Sequence, residues 1–481
     1  MSETEGYVPI GDSVNLPSVK PPERSSNNLL RQILVLAAPV LGEQILSMLV
    51  GFSDRLLSGH YLATEHLAAI TVIGYLLWLI YGIFSALSVG AGAITARAVG
   101  ANDFRQANRV FHHALIMAFL LSIPTAGFGM VLIRQGVSLL RLDGPAAEAA
   151  QTYLGVVTPC IPLIAFQAVA IGCLRAAGDM VAGFVVMSVV NTLNIGLSWG
   201  LCLGVGPLPA LGWLGLAVGT ASGFVGGSVV LLFLLFRGRQ GLKLQLRFGR
   251  LDLPLVKRIL RVGIPGGVDN LVVIGCQLWF LSLINRLGTL ATAAHGVALS
   301  IESVVFLPGI AIQAAAATLA GQYLGAGAPQ KAKEAVQTAR NLGCLIMGMG
   351  GLALIILAPW LPYLFVGSSQ QEVAQTATPL LRIIGIGMVP LAVVMITSAG
   401  LRGAGDTRIT LAISLIGFMG VRIPATYFLA LPPFEILPHT VVPALQLGVR
   451  GAWYAMVLDL TLRALLLEAR FGWGSWTRVR V

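Results

Sequence analysis

The chain has 481 residues, of which 56% are hydrophobic and 11% charged, and its formal net charge is +11. One soluble core cannot hide this much apolar surface, which excludes an ordinary globular protein and favours a polytopic membrane protein. The basic residues concentrate in connections on one side of the predicted spans, as the positive-inside rule requires. We therefore expect a lipid bilayer as partner, no nucleic acid, the inner (plasma) membrane as location, and both termini in the cytoplasm.

Residues 1–28 are polar, rich in Ser, Pro and Glu, and lack the apolar core of a signal peptide, which predicts a disordered cytoplasmic tail. Twelve apolar runs follow that are long enough to cross a bilayer. They lie at about 29–57, 66–95, 112–134, 149–173, 180–204, 211–236, 256–287, 293–320, 336–365, 376–400, 407–431 and 447–470. A basic cytoplasmic linker over 237–255 separates the sixth run from the seventh, and residues 473–481 form a second cytoplasmic tail.

The two halves of the chain repeat each other. Pro39 followed by Glu43 returns as Pro265 followed by Asp269, and the turn 174–179 returns as 401–406. Six spans bring the chain back to the side where it started, so an axis along the membrane normal relates the halves. The sequence thus predicts an all-α integral membrane fold of twelve transmembrane helices in two six-helix lobes related by pseudo-twofold symmetry. The N-lobe covers 29–236 and the C-lobe 256–472, with a cleft between them.

Acidic side chains inside spans are costly and are functional candidates by default. Asp54, at the end of span 1, is the candidate coupling carboxylate, because an acid held away from water is protonated more readily than an exposed one. The alternative is an interfacial acid paired with Arg55. Glu43 lies eleven residues earlier on the same helix face. It is either a like-charge partner of Asp54 or, together with Asp269, a structural element common to both halves.

In the C-lobe, Asp269 and Glu302 are the other intramembrane acids, and they are candidates to line the cleft as counter-charges for a cation. Glu302 is equally well placed to form a salt bridge with Arg422 inside the lobe, which would cancel both charges. Glu43 joins these two acids as the third candidate for the substrate cleft.

Neutral polar residues of spans 5 and 6 supply oxygens that can hydrogen-bond a protonated acid or coordinate Na⁺. They are Asn191, Asn194, Ser198 and Thr220. The alternative is a set of ordinary hydrogen bonds between helices.

Oppositely charged residues close in sequence predict three local pairs. They are Asp459 with Arg463 in span 12, and, at two turns, Arg175 with Asp179 and Arg402 with Asp406. The five cysteines lie in apolar runs without paired spacing, which indicates small buried hydrophobic residues. The six histidines are scattered except for the pair His112-His113, and no metal-ligand spacing is present.

Several motifs occur in a fixed order along the chain. They are Gly51-Phe52-Ser53-Asp54 with Ser58-Gly59 in span 1, Ala294-His295 and Ile301-Glu302-Ser303 followed by 306–309 in span 8, and Arg422-Ile423-Pro424 in span 11. In order and spacing, over about residues 30–480, the chain resembles the multidrug and toxic compound extrusion (MATE) family of the MOP flippase superfamily.

The resemblance implies two six-helix lobes that rock between inward-open and outward-open states. It also implies export of a small organic cation of amphiphilic character in exchange for inward H⁺ or Na⁺, with no other cofactor. Asp54 falls on the family's coupling aspartate, and Asn194 and Thr220 fall on polar partners known in part of the family.

The chain departs from the family pattern at three positions. Ser198 stands where one branch has a second aspartate, while Val273 and Leu391 stand where the sodium-type branch has acids. The missing acids at Val273 and Leu391 favour H⁺ over Na⁺ as the coupling ion.

Other functions are less well supported by the residues. A lipid-linked oligosaccharide flippase of the same superfamily is the nearest rival, and we would expect it to line its cleft with Arg and Lys. A channel fits the hydropathy alone, but the repeat with intramembrane acids favours alternating access. An intramembrane enzyme lacks a nucleophile elbow, metal spacing or phosphate loop. We expect a monomeric transporter and not an enzyme.

Overall fold

The structure, a computed structural model, describes residues 26–61, 64–139, 144–245, 252–367, 370–432, 434–437, 440–442 and 445–479. The predicted N-terminal tail lies outside these residues, except for its last three, which belong to the first helix. Residues 246–251 of the predicted linker and the last two residues of the chain also lie outside them.

The first half contains seven helices: α1 Ser26–Tyr61, α2 Thr64–Gly100, α3 Phe104–Leu139, α4 Gly144–Val157, α5 Ile161–Ala176, α6 Met180–Leu203 and α7 Trp213–Arg237. The second half contains eight: α8 Leu253–Asn285, α9 Thr289–Gly325, α10 Pro329–Leu357, α11 Leu361–Val366, α12 Gln371–Gly403, α13 Thr407–Leu415, α14 Ile423–Ala430 and α15 Gly448–Gly472. A 3₁₀ turn over Thr158–Cys160, which contains Pro159, joins α4 and α5 into the fourth span.

Within the described part of the chain, eleven helical segments are long and apolar enough to cross a membrane. The twelfth, α15, is 25 residues long but carries five charged side chains, and two of these are buried and paired inside the lobe. The predicted fold is confirmed: twelve transmembrane helices form two six-helix lobes. One element was not predicted, an antiparallel hairpin of β1 Phe434–Leu437 and β2 Thr440–Val442 between α14 and α15.

The two halves of the chain share structural features at equivalent positions. Pro39 lies inside α1 and Pro265 inside α8, the first helix of each half. The fourth span of each half ends in a turn that contains a glycine with positive φ, Gly178 after α5 and Gly405 after α12. Because glycine has no Cβ, it adopts this backbone conformation without strain. The duplicated turns seen in the sequence are therefore duplicated in three dimensions.

The lobes contact each other at one end of the bundle, which we call the closed end. It is the end where α2, α5, α9 and α12 finish. A side chain at Gly90 of α2 would collide with the carbonyl oxygen of Ile259, and one at Gly263 of α8 with that of Ala86. These glycines let the backbones of α2 and α8 approach closely, as small residues do in membrane helix pairs.

A π-helical segment over Ile416–Arg422 interrupts span 11 between α13 and α14. Pro424 follows directly and lacks a backbone N–H, which favours an irregular hydrogen-bond pattern at this point. Gly417 within the segment lies against Asp459 and Arg463 of α15, so a side chain there would collide with both. The segment thereby turns Arg422 into the interior of the C-lobe, where it is buried.

The described part of the basic linker is attached to the start of α3. His112 Nε2 accepts a hydrogen bond from the backbone N–H of Gln245 at 2.9 Å, and His113 Nε2 accepts one from that of Asp252 at 3.0 Å. Arg109 adds an ion pair to Asp252 at 2.8 Å. The adjacent histidines therefore position the linker.

Candidate functional site

Buried polar side chains of α4, α6 and α7 meet in the N-lobe. Asn194 Nδ2 donates to Thr220 Oγ1 at 2.7 Å, and the Tyr153 hydroxyl lies 2.8 Å from the same oxygen. Asn191 and Ser198 share the buried face of α6 with Asn194, at spacings of three and four residues. We call Asp54, Tyr153, Asn191, Asn194, Ser198 and Thr220 the N-lobe polar cluster.

Asp54 of α1 is half-buried and lies within electrostatic range of Tyr153. The residue before it is held in place, because Trp199 Nε1 of α6 donates a hydrogen bond of 2.8 Å to Ser53 Oγ. This bond ties the end of α1 to the helix that carries Asn194 and Ser198. The side chain of Arg55, the alternative partner of Asp54, lies outside the described part of the structure.

Three oxygens of the cluster are buried and have no hydrogen-bond partner among the described residues: Asp54 Oδ1, Asn194 Oδ1 and Ser198 Oγ. Buried polar atoms without partners are rare in folded proteins, because each one loses its water without replacement. A carboxylate, an amide and a hydroxyl oxygen are hard ligands for a small cation, and they also accept hydrogen bonds from a protonated group. The N-lobe polar cluster can therefore hold a proton or a cation.

Glu43 and Asp269 each form an ion pair across their own half. Arg175 Nη2, in the last turn of α5, donates to both carboxylate oxygens of Glu43. Arg402 Nη1, in the last turn of α12, donates to Asp269 Oδ2 at 3.1 Å. The repeat places the two pairs at equivalent positions. This supports the structural alternative for Glu43 over a like-charge couple with Asp54.

The predicted local pairs at the two turns are wrong. Asp179 is the N-cap of α6 and accepts a hydrogen bond from the backbone N–H of Ala182. It also pairs with Arg239 at 2.7 Å, and the hydrogen bond between these two side chains raises the pKa of Arg239. Asp406 pairs with Arg470 of α15 at 2.6 Å. The arginines of the two turns, Arg175 and Arg402, pair instead with Glu43 and Asp269.

The charges of spans 11 and 12 form a buried group in the C-lobe. Arg463 donates two hydrogen bonds of 2.8 Å to Asp459, which confirms that predicted pair. Arg422 Nε lies 2.9 Å from Asp459 Oδ2, so two arginines share one aspartate. Phe418 stacks beneath both guanidinium groups, at 5.0 Å from Arg422 and 4.2 Å from Arg463.

Glu302 interacts electrostatically with Arg422 but forms no salt bridge with it, since Asp459 occupies that position. Its Oε2 is buried and has no hydrogen-bond partner among the described residues. The predicted bridge between Glu302 and Arg422 is therefore replaced by a longer-range interaction.

A cavity of about 250 Å³ lies between the lobes, between α1, α2 and α5 on one side and α9 and α12 on the other. The charged side chains in its described lining are Arg175 and Arg402, and its other polar side chains are Ser88, Gln313 and Thr318. None of the predicted cleft acids, Glu43, Asp269 and Glu302, belongs to this lining. The first two are buried and paired with the two arginines of the lining.

Reciprocal contacts close the bundle beyond this cavity. Arg97 Nη2 of α2 donates to the carbonyl oxygen of Ala404 at 2.8 Å, and Gln322 Nε2 of α9 donates to that of Ala176 at 3.0 Å. These two bonds cross between the lobes at positions related by the repeat. A side chain at Gly100 would collide with the carbonyl oxygen of Gln322, and one at Gly325 with that of Arg97.

A duplicated helical bundle with an intramembrane polar cluster and a cavity between its halves defines a membrane transporter. A model of the MatE family matches residues 39–199 and 265–428, one stretch in each half. The chain belongs to this family. It is a multi-pass membrane protein whose substrates are small molecules, and family membership confirms the interpretation as a transporter and not an enzyme.

The similarity extends over nearly the whole chain. A probable multidrug resistance protein, NorM of Thermotoga maritima, is 27% identical over 462 residues, which are 95% of each chain. The solved structure of a MOP superfamily transporter from Pyrococcus furiosus, described as having a binding pocket of reverse polarity, superposes with a TM-score of 0.82 at 24% identity. The match covers 95% of this chain and 100% of the Pyrococcus chain. An outward-facing MATE transporter gives 0.81 at 24% identity, over 94% and 98% of the two chains.

Sequence reasoning missed two sets of residues at this site. Tyr153 lies in span 4, and its only signal was a tyrosine within an apolar run, where a hydroxyl requires a partner. Arg175 and Arg402 were assigned to ion pairs within their turns. The repeat was a signal for other partners, because Glu43 and Arg175 in the first half correspond to Asp269 and Arg402 in the second.

Proposed function

We propose that the protein is an ion-coupled antiporter that exports cationic amphiphilic compounds, with Asp54 as the coupling carboxylate. The observation that carries this proposal is the group of unpartnered oxygens around Asp54, Asn194 and Ser198, buried in a helical lobe. A proton or Na⁺ that enters this group neutralises a charge inside the lobe and changes the balance of hydrogen bonds between α1, α6 and α7. The names of the relatives, multidrug resistance proteins, support the substrate class.

The contacts at the closed end support alternating access as the transport mechanism. They include side-chain-to-backbone hydrogen bonds between the lobes, each of which contributes only about 1 kcal/mol net. Hydrogen bonds of this strength can be broken when ion binding shifts the preference between two states by a few kcal/mol. The positive-inside distribution of basic residues supports a cytoplasmic location for the closed end.

The test is efflux from liposomes that contain the purified protein and a fluorescent organic cation. We expect efflux when H⁺ can flow inward through the protein, and not with an equal Na⁺ gradient at constant pH, because Val273 and Leu391 replace the acids of the sodium-type branch. Efflux driven by Na⁺ alone would change the assigned ion. No efflux under either gradient would reject the proposed antiport.

A lipid-linked oligosaccharide flippase is the second candidate, and one observation favours it: the cavity between the lobes presents Arg175 and Arg402. Both guanidinium groups are already paired with carboxylates, and the described lining holds no further Arg and no Lys, whereas we expect a flippase to line its cleft with many such residues. Translocation of a lipid-linked sugar in the same liposomes, without movement of the cation, would establish this alternative.

A further inference from the structure

The cavity between the lobes has a polarity that the proposed cation export does not explain. Arg175 and Arg402 belong to its lining, and their side chains are 28% and 25% exposed. The side chains of Glu43 and Asp269 behind them are only 7% and 3% exposed. An approaching ligand therefore meets the positive ends of two ion pairs.

The two ion pairs also hold their arginines in place. Each guanidinium is anchored at one edge by a buried carboxylate, and this leaves other N–H groups of the fork available. A fixed guanidinium loses little conformational entropy when it binds a carboxylate or a phosphate, whose planar or tetrahedral oxygens match the fork. Because Glu43 and Asp269 compensate the charges of the two arginines, the described part of the site contains no uncompensated buried cation before an anion binds.

The remaining polar side chains of the cavity add to the same recognition. Gln313, Ser88 and Thr318 provide N–H and O–H donors, while the rest of the lining is alanine, glycine, valine and isoleucine. About 250 Å³ is enough for an oxyanion carried on a small organic group, but not for a large drug. The repeat presents one arginine from each lobe, so a bound oxyanion would contact both halves at once.

We propose that this cavity is a binding site for an oxyanion, a carboxylate or phosphate group, so that the substrates include organic anions or zwitterions as well as cations. The proposal deepens the proposed transport function and rests on it for its biological meaning. An oxyanion bridging Arg175 and Arg402 would favour the state in which the lobes meet at the closed end.

The test is equilibrium binding to the purified protein in phosphatidylcholine nanodiscs, with phenyl phosphate as the anion and benzyltrimethylammonium as a cation of similar size. The variants Glu43→Gln/Arg175→Gln and Asp269→Asn/Arg402→Gln each remove one pair without changing the net charge. The matched control is Arg340→Gln/Glu468→Gln, which removes an ion pair of the C-lobe outside the cavity lining. Thermal unfolding of each variant shows whether it is folded.

We expect saturable binding of phenyl phosphate that weakens at least tenfold in each cavity variant and is unchanged in the control. The variant Arg175→Lys, which keeps the charge but not the fork, should weaken binding by a smaller factor. Equal affinity in the wild type and both cavity variants, or loss of binding in the control as well, would overturn the proposal.

A second arm separates the possible sources of the oxyanion. If phosphatidylglycerol nanodiscs abolish phenyl phosphate binding to the wild type, the site takes a lipid headgroup; if they do not, it takes a soluble anion. Both results support an oxyanion site. The binding assay needs no ion gradient, so a protein that binds phenyl phosphate but shows no gradient-driven cation efflux would reject the antiport and leave this site standing.

Discussion

Glu43 of α1 and Arg175 of α5 are 132 positions apart in the sequence and form a partly buried ion pair that connects two helices of the N-terminal half. Asp269 and Arg402 form the equivalent pair, 133 positions apart, in the second half. Each pair ties the first helix of a lobe to the end of its fourth span. The recurrence of this arrangement in the two halves of one chain indicates that it holds the first helix and the fourth span of each lobe together.

Removing one partner of the Glu43–Arg175 ion pair should lower the free energy of unfolding more than removing both. Arg175→Ala leaves the Glu43 carboxylate buried without a cation, so we expect a loss of roughly 3 kcal/mol in the free energy of unfolding. In Glu43→Gln/Arg175→Gln neither charge remains, and the loss should be smaller by about half or more. Thermal unfolding in detergent measures both. A double variant that is as unstable as Arg175→Ala would show that the pair contributes through packing and not through charge.

The glycines at the crossing of α2 and α9 should control access from the closed end. Gly100→Ala and Gly325→Ala each introduce a methyl group against a backbone carbonyl of the other lobe, which cannot move aside easily. We expect both variants to shift the protein towards the state that is open at this end. The matched control is Gly127→Ala in α3, where a methyl group would meet nothing within 4 Å.

The measurement is the labelling rate of a cysteine at Ala314, a residue of the cavity lining, in a background without the five native cysteines. A membrane-impermeant maleimide added from the closed end should react several times faster in the two α2–α9 variants than in the wild type or Gly127→Ala. Equal rates in all four proteins would mean that this crossing does not hold the end closed.

Among the acids of the C-lobe, Asp459 should be the one whose substitution lowers the free energy of unfolding most. It compensates Arg422 and Arg463, which are both buried, so Asp459→Asn leaves two cations with one distant acid. We expect a loss of roughly 3 to 5 kcal/mol or failure to fold. Glu302→Gln should cost much less, because Glu302 makes no salt bridge among the described residues. Comparing the melting temperatures of the two variants decides this, and a Glu302→Gln protein as unstable as Asp459→Asn would contradict it.

The sequence was sufficient for the helices and the repeat but not for the partners of the charged side chains. Asp459 and Arg463 are four residues apart on one helix, so helical geometry alone predicts their pairing. The partners of Arg175 and Arg402 lie more than 130 positions away, and the duplicated turns suggested closer aspartates that instead bind Arg239 and Arg470. Tertiary packing, which brings α1 to the end of α5, decides between these partners.

The same limit applies to the N-lobe polar cluster and to span 11. Asn194, Ser198 and Thr220 were recognisable as neutral polar residues of spans 5 and 6. Tyr153 joins them only through the packing of α4 on α7. No sequence pattern predicted the π-helical segment that ends at Arg422, and the structure pairs Arg422 with Asp459 and not with Glu302.

The hydroxyl of Tyr153 should affect transport more than stability. Tyr153→Phe removes one hydrogen bond to Thr220, which costs about 1 kcal/mol of unfolding free energy. Because Tyr153 also interacts with Asp54, we expect the gradient-driven efflux rate to fall several-fold while the protein remains folded. Tyr454→Phe, at an exposed tyrosine of α15, is the control and should transport as the wild type does. Unchanged efflux in Tyr153→Phe would separate this residue from the coupling site.

The role of Asp54 is tested most directly by gradient-driven efflux of a fluorescent cation from liposomes that contain Asp54→Asn, beside Asp103→Asn as a control at an exposed helix start. The amide keeps the shape of the side chain but cannot bind and release a proton. We predict that Asp54→Asn is folded and still binds the cation, that an inward H⁺ gradient no longer accelerates its efflux, and that Asp103→Asn behaves as the wild type. Efflux from Asp54→Asn that the gradient accelerates as strongly as it does the wild type would contradict the account.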